Sequence, residues 1–261
     1  MIDIIKIEWL KVRNYRTFWI LLIVAVVLIP ASNMIVADIA GRIPKQATDL
    51  VGLNFYDFPV VWQTVAFVNS FTSVMFGLLL LTLVTNEFSY KTHRQHVIDG
   101  WERLDLVLAK LFWVGLLSVL ALVVSLLTAV VFGLIYSKRP FSMEGIDFMW
   151  YYFLQVVTSL SLAMLLGMIV QRSGLATVLY LGYAMVLEQL VHVILKHTLG
   201  SIGGFLPLQA GDELLPLPVV DKLIPGGVVM DYPAGVYVGT IFVYIVLFIG
   251  LTCRRMLKVD Y

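Results

Sequence analysis

Apolar residues fall into six long runs separated by polar segments: Phe18 to Val36, Val60 to Thr85, Leu104 to Tyr136, Phe148 to Val170, Gly174 to Leu195 and Ala234 to Thr252. A helix rising 1.5 Å per residue needs about 20 apolar residues to cross about 30 Å of hydrocarbon, so each run is long enough for one span. The third run exceeds one membrane thickness. Its first turns, which hold Asp105 and Lys110, are expected to stand outside the lipid. Pro30 is expected to kink the outer half of the first span. Trp150, Tyr151 and Tyr152 open the fourth, as aromatic side chains do at a membrane interface. Ahead of the first span, Asp3 to Arg16 has Ile4, Ile5, Trp9 and Val12 at helical spacing, with Lys6, Lys11, Arg13 and Arg16 between them. That pattern predicts an amphipathic helix lying in the headgroup layer.

Two connecting segments break the simple alternation. Asn86 to Lys110 is a polar island in which Phe88, Thr92, Gln95, Val97, Ile98, Trp101 and Leu104 form a mostly apolar stripe, while Glu87, Lys91, Arg94, Asp99 and Glu102 fall mainly elsewhere. The spacing predicts a surface helix, with Gly100 letting the chain turn back toward the membrane. Lys196 to Pro233 holds five of the nine prolines, and is too apolar for a free loop and too broken for a span. Short re-entrant or interfacial half-helices fit it, with Asp212, Glu213 and Asp231 expected on the outer aqueous side. Gln171, Arg172 and Ser173 leave room only for a tight turn. No internal repeat with matching broken helices is present, which disfavours an inverted-repeat carrier. The whole chain, residues 1–261, reads as a single all-α polytopic membrane domain.

Composition agrees. Charged residues make up 13% of the chain and hydrophobic ones 60%, against roughly 25% charged in soluble domains. The net charge of +1 offers no field for nucleic acid. The single cysteine, Cys253, excludes an internal disulfide. A cleaved signal peptide is not expected, because the first run is as long as a full span and no small-x-small site follows it. Six spans put both termini on one side. With the termini inside, Arg42, Lys45, Lys138, Arg139, Lys196 and Lys222 lie outside; eighteen basic residues less these six leaves twelve inside. The bias places both termini and the 86–110 segment in the cytoplasm.

Chemistry-bearing motifs are sparse. G-x-x-x-x-G-K-[ST] and G-x-S-x-G are both absent, so no enzyme activity and no bound cofactor are expected on this chain. His93 and His96 lack further metal ligands in sequence, and no metal site is expected. Glu188, His192 and Lys196 share one face of the fifth span at i, i+4 and i+8. An ionisable residue in a span is by default a functional candidate. Glu188 and His192 could pair, relay protons, line a pathway or join helices near the outer end, and Asn69 in the second span is a further candidate for the pathway or for helix pairing.

The arrangement resembles the membrane (permease) subunits of type-2 ATP-binding-cassette (ABC) exporters. Those have an interfacial N-terminal helix, six spans and, after the second span, a cytoplasmic loop carrying an acidic residue, a Gly-Thr-like pair, and a hydrophobic stretch ending in a small residue and Arg. Glu87, Thr92, Val97 to Ile98, Gly100 and Arg103 match it, followed by Lys110. Lys91 stands where glycine is common, and Trp101-Glu102 replaces a small or proline-containing pair. The resemblance implies a coupling helix that docks on a separate ATPase subunit through Glu87, Phe88, Thr92, Arg94, Ile98, Trp101 and Arg103. It further implies ATP and Mg on that subunit, a second permease copy or homologue, and residence in the bacterial cytoplasmic membrane. The alternatives are an ion-coupled carrier or channel using Glu188 and His192, and a non-transporting membrane anchor or sensor.

Overall fold

The computed structural model describes residues 2–42, 54–90, 103–218 and 231–258, and these are helical except for short connections. Helix α1, Ile2–Arg13, is followed after a two-residue corner by α2, Arg16–Arg42. The second apolar run forms two helices, α3, Val60–Ser70, and α4, Ser73–Ser89. Then come α5, Arg103–Tyr136, and α6, Asp147–Val170. The fifth run is α7, Ser173–Gly182, a five-residue π-helical turn, Tyr183–Leu187, and α8, Glu188–Leu199. A 3₁₀ turn, Gly200–Phe205, and the short α9, Gln209–Glu213, lead toward α10, Ala234–Lys258.

Five helical stretches are long and apolar enough to cross a membrane, and α3 with α4, bent by 43°, makes a sixth when counted as one span. The protein is an all-helical, multi-pass membrane protein. Its centre is α6, against which α3, α4, α5, α7, α9 and α10 all pack. The apolar window of α6 is 72% buried, against 22% for α2 and 17% for the fifth span. A soluble bundle would have to cover those bare flanks; in lipid they are the solvent-facing surface.

Pro30 lies within α2, which continues as one helix to Arg42. Two local features differ from the sequence-based expectation. A break falls in the second span at Phe71 and Thr72, with no proline or glycine at the break itself. There the Ser70 hydroxyl donates to the Phe67 carbonyl, Thr72 to Asn69 and Ser73 to Ser70. Three successive hydroxyls drawing on carbonyls one turn back compete with the backbone ladder and bend it. Finally, Glu87 and Phe88 belong to the last turn of α4, which runs unbroken to Ser89, because the apolar run carries the helix past its expected end at Thr85. The turn after α6 is as tight as expected, with Gln171 in the left-handed conformation at φ 59° and its N–H donating to Gly167.

Candidate functional site

Two polar assemblies stand out in an apolar bundle. The first lies where α1, the end of α4 and the start of α5 converge. Lys110 of α5 is 2% exposed. Its ammonium donates to Glu8 Oε2 at 2.8 Å and to Glu87 Oε1 at 2.7 Å. Lys11 donates to the same Glu87 oxygen at 2.7 Å and to Glu8 Oε1. The indole N–H of Trp113 completes the cluster, donating to Glu8 Oε2 at 3.0 Å. Two lysines thus face two glutamates, and these carboxylate contacts are charge-assisted or come from a buried indole. Burial alone would raise the Glu8 pKa, but the charges of Lys110 and Lys11 and their hydrogen bonds outweigh it, holding the group at about 2. A cavity of about 200 Å³ opens beside the cluster, walled by Tyr15, Leu83, Asn86 and Tyr90.

Sequence reasoning singled out Glu87 and noted Lys110, but missed Glu8 as their partner. A signal was present. Glu8 interrupts the apolar stripe of α1 between Ile5 and Val12, and Lys110 sits between Val107 and Trp113 on the buried face of α5. Two lone charges of opposite sign on apolar faces call for each other. Of the other coupling candidates, Thr92, Arg94, Ile98 and Trp101 lie outside the described residues, and Arg103 is placed as the first residue of α5. Phe88 packs against the main core.

The second assembly is at the opposite end. Glu188 is buried, and one of its carboxylate oxygens accepts the backbone N–H groups of Leu208 and Gln209 at 2.6 and 2.9 Å. His192 Nδ1 lies 3.1 Å from the Gly203 carbonyl oxygen. Each residue engages the segment after α8, so the carboxylate and imidazole that share a helix face hold the 200–213 stretch against the fifth span. That stretch goes deep. Asp212 accepts from Gln155 Nε2 at 2.6 Å and from Gln189 Nε2 at 3.4 Å. Gln155 stands eight residues into α6, about 12 Å from its start at 1.5 Å per residue. Asp212, expected on the outer aqueous side, is half-buried between α6 and α8. Gly211 makes the approach feasible, since a Cβ there would meet Gln155 Cγ at 2.7 Å. Between the two ends, Asn69 bridges helices: its carbonyl accepts from Asn33 at 2.8 Å and its amide donates to Ser125 at 2.9 Å. All three residues are fully buried.

A multi-pass bundle with a buried charge cluster joining the N-terminal helix to the second and third spans defines a polytopic membrane protein with a polar joint at one end. The family model described as ABC-2 family transporter protein matches residues 4–187, more than two thirds of the chain, and the chain belongs to that family. It is a membrane transport subunit of an ABC system. The match runs from α1 through the π-helical turn and stops one residue before Glu188. No curated protein matches the chain.

Proposed function

We propose that this chain is the translocating subunit of an ATP-driven exporter. It works as a dimer, with its termini and the 86–110 segment in the cytoplasm of a bacterial cell and the segment docked on a separate ATPase. ATP and Mg belong to that partner. The observation that carries the reading is the position of Glu87 and Lys110. They flank the docking segment on the two spans it joins, and they are tied to each other and to Glu8 of α1. A push on the segment therefore reaches α1, α4 and α5 through one rigid knot. Apolar anchors such as Trp101 would supply the contact energy, and Arg94 and Arg103 the partner choice at the rim.

The test is co-purification with the nucleotide-hydrolysing partner, followed by ATPase assays in vesicles. Trp101→Ala and Arg103→Glu are expected to leave membrane insertion intact and to abolish assembly or cargo-stimulated hydrolysis. Unchanged assembly together with unchanged stimulated ATPase in both variants overturns the reading. The ion-coupled alternative draws on Glu188 and His192. Glu188 spends one carboxylate oxygen and His192 its Nδ1 on the outer segment, and that alternative would require transport driven by an ion gradient without nucleotide.

A further inference from the structure

Around Asp212 lies a cavity of about 430 Å³, within the size range of small-molecule sites. It is bounded by the break between α3 and α4, the middle of α6, the π-helical turn and α9. Backbone that is neither helix nor sheet is tolerated at membrane depth only where it is buried in protein or lines a polar cavity. The 206–216 stretch meets that condition here.

The polar wall is weighted toward acceptors. Gln155 and Gln189 each spend an amide hydrogen on Asp212, and Gln209 spends one on Glu213 at 3.3 Å. The hydroxyl hydrogens of Ser70 and Ser73 go to backbone carbonyls, and Ser159 pairs with the Tyr180 hydroxyl. Each glutamine amide keeps one further hydrogen, and the glutamine atoms left without any partner are acceptors. Gln155 Oε1 and Gln209 Oε1 are buried without a partner among the described residues, and their side chains are 4% and 8% exposed. The Asp212 carboxylate adds negative charge, and no lysine, arginine or histidine lines the cavity among the described residues. Facing this wall are apolar side chains. Phe67 and Phe71 meet edge to face with centroids 5.5 Å apart, and Phe71 is 70% exposed. Aromatic faces attract cations as well as apolar groups.

We infer that this cavity binds an amphiphile carrying a primary ammonium or guanidinium group, its charged head against Asp212 and the glutamines and its apolar body against Phe67 and Phe71. A donor-rich cation satisfies the spare acceptors and neutralises the carboxylate, whereas an anion meets repulsion from Asp212. The ammonium could come from a free solute or from an ethanolamine lipid headgroup. As cargo recognition, this rests on the transport reading above, but its test is independent of any ATPase.

The experiment is equilibrium binding of a fluorescent dansyl-alkylammonium probe to the purified full-length chain in phosphatidylcholine nanodiscs, beside its N-acetylated neutral analogue. Saturable binding of the cation is expected, with the neutral analogue roughly tenfold or more weaker, as the loss of one charged hydrogen bond implies. Asp212→Asn is expected to lose the same factor and Asp212→Glu to retain most of the affinity. Ala184→Phe, which fills the cavity and keeps every charge, is expected to abolish binding. Displacement of the probe when phosphatidylethanolamine is included assigns the headgroup as the natural source; no displacement assigns a free amine. Equal binding of cation and neutral analogue, or full affinity in monodisperse Asp212→Asn or Ala184→Phe protein, overturns the inference. Failure here with intact coupling at Trp101 and Arg103 removes the cavity's role and leaves the proposed function standing.

Discussion

Lys110 is buried against two carboxylates, and removing it alone would leave both of them beside the partly exposed ammonium of Lys11. Lys110→Met is expected to destabilise the protein by about 3–5 kcal/mol, the usual effect of breaking a buried pair from one side. The triple variant Glu8→Gln, Glu87→Gln, Lys110→Met is expected to recover much of that loss, because no buried carboxylate is left under-compensated and the remaining ammonium, Lys11, is partly exposed. Thermal unfolding of the detergent-solubilised variants checks both, and equal loss in single and triple would mean the charges contribute nothing. Glu8 gives the pH dependence. Its carboxyl is held at about 2 in the folded protein against an ordinary 4.5. A depressed acid stabilises fully above about pH 4.5 and loses that contribution as pH falls toward 2. Proteolysis near α1, or Trp9 and Trp19 fluorescence, is expected to report loosening of α1 over that window. In Glu8→Gln the window is expected to disappear.

At the scale of elements, the polar residues that the sequence places inside spans act mainly as joints. Asn69 links α2, α3 and α5, and Glu188 fastens the outer segment to α8. Gly211 controls how closely that segment approaches α6. Gly211→Ala would set a methyl against Gln155 and is expected to cost about 1–3 kcal/mol, as overpacking does. It should also separate Gln155 from Asp212, which a fall in melting temperature together with weaker probe binding would register. The spans themselves were legible in the sequence, because each needs only an apolar run of the right length. The break in the second span was not. Ser70, Thr72 and Ser73 bend the helix only if their hydroxyls turn toward their own backbone, and composition does not say where a hydroxyl points. The π-helical turn at Tyr183–Leu187 is likewise silent in sequence, since its residues are as apolar as the helix around it.

For the whole molecule, the central position of α6 divides labour. One end has the charge cluster, joining α1 to the spans that flank the 86–110 segment, and the other has the deep outer segment and its cavity. The membrane class could be read from the chain, and Glu87 was singled out there as a docking residue rather than as a member of a buried cluster. The partnership of Glu87 with Glu8 could not be read directly, because 79 positions separate them (87 − 8) and only the folded bundle brings them within reach of one ammonium. The cluster has another consequence. Lys11 and Lys110 against Glu8 and Glu87 sum to no charge at all. Displacing one unpaired charge through a 100 mV membrane potential involves about 2.3 kcal/mol of electrical work. Displacing these four charges together involves none. In the coupling proposed above, the membrane voltage therefore adds no net pull through these four groups, and a push on the segment would set their position.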